Sequence, residues 1–461
     1  MHRYTETTDL LARRLADLCL DRLAMSAPLD HSLTPGELRA LAGETVTPGG
    51  IGHEEAARLW EDVLAPACLS TDHPRYLSFI PGAPTKAAAA FDMLVGASSV
   101  YGGSWLEGSG AVYAEQQALR WIADLAGLPP RAGGVFVQGG TTGNLSALVA
   151  ARADALRRRA DRGLTRPARW EVVVTDETHS SVKHSLETVM DVEVVRVPGD
   201  ERGRLTGAAI RSWLAAATPE ERDGVFAVVA TAGSTNLGVV DDLAGIADAA
   251  HEQDWWLHVD GAYGGAGLAA PSVRALYAGV ERADSFIVDP HKWLFAPYDS
   301  CALLYRDPAV ARAAHTQHAD YLDPVTAQDS GAEGEWNPSD YAVQLTRRAR
   351  GLPFWFSLAV HGTDAYAEAV ERTLTVARAG RRIIEEADHV RLLVEPDLSV
   401  LVFERVGWND RDYAAWSDRL LDDGFAFVTP TRHRGRPCTR FAIVNPETTP
   451  DDLRRIVDSM R

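Results

Sequence analysis

Residues 285–293 read Ser285-Phe286-Ile287-Val288-Asp289-Pro290-His291-Lys292-Trp293. The first four residues form a short apolar run of the kind that makes a buried strand. Lys292 follows almost at once. A lysine just past a buried strand is unusual, because ammonium groups are rarely buried without a partner. Two explanations compete: a loop lysine in solvent, or a lysine of depressed pKa that forms a Schiff base.

Working outward, the same texture recurs from about residue 130 to 305. Apolar runs at Val135–Val137, Glu171–Thr175, Val192–Val197, Phe226–Ala230, Trp256–Val259 and Ala302–Tyr305 alternate with helical patterns at Asn144–Leu156, Ser181–Met190 and Leu243–Ala250. That alternation predicts an α/β fold with a mostly parallel sheet covered by helices on both faces. Residues 1–64 carry a leucine stripe (Leu10, Leu11, Leu15, Leu18, Leu20) and a helix start after Thr34, with no strand pattern. Residues 310–350 are polar and irregular, as a functional lid would be. After Pro353 a long helical stretch leads to a small α/β region, with strands expected near Val390–Val394, Ser399–Glu404, Phe425–Val428 and Arg440–Val444. The expected division is 1–64 (helical), 65–345 (large domain) and 346–461 (small domain).

Three further motifs sit at strand ends. Leu257-His258-Val259-Asp260-Gly261-Ala262 puts Asp260 where open α/β sheets bind ligands. A carboxylate there keeps a cofactor's ring nitrogen protonated; a turn aspartate is the plainer alternative. Gly139-Gly140-Thr141-Thr142-Gly143-Asn144 runs from strand to helix and suits one phosphate at a helix N-terminus. It is neither a Walker motif nor GxGxxG. Glu177-Thr178-His179-Ser180-Ser181 offers His179 as a flat ring against a cofactor. Each motif is weak alone. In this order, a phosphate cradle, a stacking imidazole, a carboxylate for a pyridine nitrogen and a lysine for an aldehyde describe pyridoxal 5′-phosphate (PLP).

On these motifs the chain resembles the group II PLP-dependent amino acid decarboxylases, the family of aromatic-L-amino-acid decarboxylase, from about His73 to Pro446. The resemblance implies the fold-type I architecture, with a mostly parallel seven-stranded sheet flanked by helices, an N-terminal helical segment and a small C-terminal α/β domain. It also implies a homodimer with active sites at the interface and N-terminal helices that clasp the partner. By motif, Lys292 would bond the cofactor aldehyde, Asp260 would pair with the ring nitrogen, Ala262 would pack beneath the ring and His179 would stack above it. Thr141 and Thr142 would hold the phosphate with His291 and Asp289 nearby. Ser234 and Thr235 would place hydroxyls near the cofactor, and Tyr321 would protonate Cα. Catalysis is thus expected from Lys292, His179, Tyr321 and Asp260.

The resemblance puts the substrate wall at Phe79, Ile80, Pro81 and Gly82, with Tyr101, Gly102 and Gly103 from the partner. Gly82 and Gly103 depart from the family, where a hydroxyl and a bulky residue are common, so an enlarged or reshaped pocket is expected. Arg347, Arg348, Arg350 or Arg440 would contact a substrate carboxylate or serve only in ion pairs. An aromatic L-amino acid is the favoured substrate. Oxidative deamination to an aldehyde, an acidic or diamino acid substrate, a fold-type I aminotransferase and a catalytically silent relative stay open.

Composition agrees with a soluble enzyme. The chain has 461 residues, 46% of them apolar and 24% charged, with a net charge of −18. Disorder is excluded, and nucleic acid and anionic membranes are disfavoured as partners. Cys19, Cys68, Cys301 and Cys438 lack the spacing of a metal site or disulfide framework. With no secretory signal, a cytoplasmic location is expected, and no metal.

Overall fold

The structure is a computed structural model that describes residues 2–320 and 336–461. Seven strands form the main sheet: β1 (Gly133–Val137), β2 (Glu171–Val174), β3 (Glu193–Arg196), β4 (Val225–Thr231), β5 (Trp256–Asp260), β6 (Ser285–Val288) and β7 (Cys301–Tyr305). Their order is β1-β7-β6-β5-β4-β2-β3, and only β7 runs against its neighbours. The carboxyl ends of β1, β2, β4, β5 and β6 therefore share one edge.

Period-two alternation sorts the strand side chains onto two faces. Val228, Ala230, Leu257, Val259, Phe286 and Val288 face one core. Ala227, Val229, Trp256, Ile287 and Leu303 face the other, under helix α6 (Gly140–Asp161). Both faces are covered, which is why these strands read as continuous apolar runs.

The N-terminal helices are α1 (Glu6–Ala24), α2 (Pro35–Ala42) and α3 (His53–Leu59), followed by α4 (Lys86–Ser98) and α5 (Trp105–Leu125). Thr34 caps α2 with a capping box, which contributes about 1 kcal/mol. The expected helix at Ser181–Met190 is a short α-turn, Ser180–Lys183, continued by a π-helix, His184–Met190.

After the helix Leu352–Glu386, an antiparallel sheet in the order β10-β11-β9-β8 makes the small C-terminal unit. Its strands are β8 (Val390–Leu392), β9 (Val400–Arg405), β10 (Pro430–His433) and β11 (Arg436–Ala442). The strand expected at Phe425–Val428 is not a ladder strand. That segment makes a bridge from Phe427 to Tyr76, and its Ala426 and Val428 enter the small unit's core. Its apolar run reflects burial, which periodicity cannot separate from strand pairing over four residues.

Among the described residues, no helix is long and apolar enough to cross a membrane.

Candidate active site

The shared carboxyl edge opens into a cavity of about 280 Å³, small for a ligand site. Thr141, His179, Thr235, Asp260, Ala262, Asp289, His291 and Lys292 all line it. The fold thus brings together eight of the ten residues expected to hold the cofactor. Ser234 lies between two wall residues, Gly233 and Thr235, with its Oγ buried and without a partner among the described residues. Thr142 is half-buried one residue beyond the wall. Tyr321 lies outside the described residues.

Asp260 ends β5. Its Oδ1 accepts from Ala262 N (3.0 Å) and its Oδ2 from Asn144 Nδ2 (3.0 Å). Lys292 sits in the turn after β6, with Nζ 2.9 Å from Asp289 Oδ2. Burial pulls the Lys292 ammonium down, but the charge and hydrogen bond of Asp289 outweigh it and carry the pKa above the usual lysine value. The depressed value expected from the sequence is thereby corrected, because the sequence shows Asp289 three residues away but not that its carboxylate meets the ammonium. Burial likewise pushes Asp289 up, yet Lys292, His291 and the Cys301 thiol together hold it low. Asp289 Oδ2 also accepts from Gly140 N at 3.3 Å, at the first residue of α6. His291 is held at Nδ1 by the Ser300 backbone, and burial lowers its pKa.

The donor set fits PLP. A 22-residue helix points its N-terminus and the Gly139–Thr141 turn at the cavity, where an anion is favoured. Thr231 Oγ1, Ser234 Oγ and Asp289 Oδ1 are buried without partners among the described residues, and buried polar atoms left so are rare. A lysine and an aspartate on adjacent strand ends complete the set. When bound, PLP supplies an aldehyde for amines and a cationic ring that accepts the electron pair released with CO₂.

The expected substrate wall is not part of this cavity in the single chain. Gly82 N donates to Tyr298 Oη (3.2 Å), and the Tyr298 ring lies 5.0 Å from that of His291. Tyr101 Oη donates to Leu345 O (3.1 Å). Neither glycine enlarges a pocket. A Cβ on Gly82 would lie 2.4 Å from His291 O, and one on Gly103 would lie 2.3 Å from Tyr101 Oη. At Gly82 the obstacle is backbone, so the position needs glycine; at Gly103 it is the Tyr101 phenol, which already fills the space.

Three of the four arginines are committed to carboxylates of the chain itself. Arg347 is buried against Glu115 (3.1 Å), Arg348 pairs with Asp92 (2.6 Å) and Arg350 with Asp299 (2.5 Å). Arg440 on β11 is buried, has no carboxylate within ion-pair reach among the described residues, and leaves one guanidinium nitrogen unpartnered. Burial lowers it to about 10, partly offset by Tyr263, a wall residue.

Gln138, Asn144, Ser181, Thr231, Tyr263 and Asp299 also line the cavity. Asn144 and Ser181 stand inside motifs already picked out, but their part depends on contacts across the sheet that spacing does not reveal.

Residues 35–406 match the family model of the pyridoxal-dependent decarboxylase conserved domain. The chain is 27% identical over 458 residues to aromatic-L-amino-acid decarboxylase of Bacillus atrophaeus, covering 97% of this chain and 93% of that protein. It is 31% identical over 456 residues to L-2,4-diaminobutyrate decarboxylase of Rhizobium meliloti (strain 1021), covering 96% and 89%. Its fold is similar to that of Oryza sativa TDC crystallised with PLP and tryptamine, with a TM-score of 0.89 at 23% identity over 100% and 99% of the two chains. A family match over most of the length, on a site whose residues suit the same cofactor, places this chain in the pyridoxal-dependent decarboxylase family, as a carboxy-lyase that uses PLP to remove CO₂ from an amino acid.

Proposed function

We propose that the substrate is an aromatic L-amino acid and the product its amine. Lys292 is the amine that exchanges with the substrate's own. Asp260 keeps the ring nitrogen protonated, and His179 and Ala262 hold the two ring faces. Thr141, with Thr142, Ser234, Thr235, His291 and Asp289 around it, anchors the phosphate end. Tyr321 delivers the proton to Cα. Arg440 is the arginine left to meet a carboxylate.

The observation that carries the aromatic side chain is Phe79. It is 59% exposed and held at φ 53°, a left-handed conformation that a bulky residue rarely adopts. Its ring tilts against Phe427 at 6.2 Å, three residues from Gly82 and the Tyr298–His291 contact. An aromatic surface exposed at such cost suits an apolar ligand group.

The active enzyme is a homodimer in this proposal, with α1–α3 clasping the partner. No residue of α1 or α2 is buried, and Leu10, Leu15, Leu20 and Leu41 are exposed. So many large apolar side chains left exposed on these two helices suit an interaction surface.

A diamino acid is the second reading, favoured by the diaminobutyrate decarboxylase relative. CO₂ release with added PLP across aromatic, diamino and acidic amino acids, with products identified by mass spectrometry, decides. Release from tryptophan, tyrosine or dihydroxyphenylalanine above all others, giving amine, is expected. Preference for 2,4-diaminobutyrate, or an aldehyde product, overturns the proposal.

A further inference from the structure

His258 and Asp260 stand two residues apart on β5, so both point toward α6. Asn144, in the first turns of α6, lies between them and joins a buried hydrogen-bond chain whose polarity can be worked out. Trp256 Nε1 is only a donor, and it donates to Ser285 Oγ (2.8 Å). The Ser285 hydroxyl is then free to donate to His258 Nδ1, 2.8 Å away. His258 carries its own proton on Nε2 and donates it to Asn144 Oδ1 (2.8 Å). Burial keeps this imidazole neutral, pulling it down to about 4 against the charge of Asp260.

With its oxygen engaged by His258, the Asn144 amide turns its NH₂ the other way. Nδ2 donates to Asp260 Oδ2 (3.0 Å) and to Ser181 Oγ (3.2 Å). The Ser181 hydroxyl accepts there and donates to His179 Nδ1 (2.8 Å). Ser181 N–H, which can only donate, also meets Nδ1 at 3.2 Å. His179 Nδ1 is thus an acceptor twice over, and the ring proton resides on Nε2.

We infer that Asn144 is a positioning residue that, by turning the Ser181 hydroxyl toward His179 beside the Ser181 N–H, reinforces the Nε2–H form of His179 while holding the Asp260 carboxylate. His179 accordingly presents a hydrogen bond from Nε2–H to the bound amino acid and no lone pair, so it acts as a hydrogen-bond donor and not as a base, while the proton for Cα comes from Tyr321. This rests on the placement of His179 and Asp260 beside the cofactor. The tautomer itself is read without turnover, so its failure is distinguishable from failure of the decarboxylase roles.

The experiment is ¹⁵N–¹H correlation spectroscopy on [¹⁵N]histidine-labelled holoenzyme above the imidazole titration, with His179 assigned through His179→Gln. The wild type is expected to show a protonated Nε2 and a bare Nδ1 at His179. Asn144→Leu leaves the longer Ser181 N–H contact as the one fixed donor to Nδ1, so it should admit a minor Nδ1–H population and lower kcat about 10–100-fold, as loss of an outer partner does, with KM nearly unchanged. Ser181→Ala, which removes the 2.8 Å hydroxyl donor and keeps the backbone N–H, should admit the same minor form should Asn144→Leu fail to fold. A wild-type His179 protonated on Nδ1 overturns the inference, and so does wild-type tautomer and kcat in either folded variant.

Discussion

Lys292 is where a single side chain decides the chemistry. Removing its amine in Lys292→Ala is expected to abolish CO₂ release. Borohydride reduction followed by peptide mass spectrometry should then find cofactor on the Lys292 peptide of the wild type and on no peptide of the variant. His258 supplies a pH dependence. Its folded value, about 4, lies below the unfolded 6.5, so the stability it contributes is fully present above 6.5 and is lost as pH falls toward 4. The loss is on the order of 3 kcal/mol. Denaturant midpoints from pH 7 to pH 4, with the His258→Gln curve subtracted, measure it. Gly103→Ala places a methyl into the Tyr101 phenol and should cost about 1–3 kcal/mol through overpacking. Unchanged thermal unfolding of that variant would restore the view that Gly103 is an opened pocket.

Among the elements, α5 and the turn before the helix Leu352–Glu386 are joined by one buried pair. Glu115 accepts from Arg347 and from Gly351 N (2.7 Å), while Arg347 Nη2 donates to Phe136 O (2.7 Å) on β1. A buried pair adds little over apolar packing, but removing one member strands the other charge. Glu115→Ala should therefore lose about 3–5 kcal/mol, seen as a lower urea midpoint. Arg347 read from the sequence offered either a substrate contact or an ion pair. The contacts assign it to the ion pair, because it reaches three elements at once.

For the whole molecule, the open question in the single chain is what covers α1. Deleting residues 1–25 removes exposed leucines but no buried residue of the core. The expected outcome is a shift from dimer to monomer in sedimentation velocity, with far-ultraviolet circular dichroism reduced only by the lost helix. An undiminished dimer would refute the clasp.

The sequence by itself determined the sheet and the cofactor. Apolar runs that continue without polar alternation, as at Phe226–Ala230 and Trp256–Val259, signal strands buried on both faces, and such strands carry their ligand groups at one edge. That reasoning led to Asp260, Lys292, His179 and Thr141, which the structure brings to one cavity. Tertiary structure alone decided what stands opposite each side chain, whether the neighbour is near or far along the chain. Asp289 raises Lys292 across a turn, Tyr101 fills the space beside Gly103, and Asn144 finds Asp260 across 116 residues. Periodicity reports which face a side chain takes. It carries no information on what stands opposite, and pKa, cavity shape and tautomer are all set by what stands opposite.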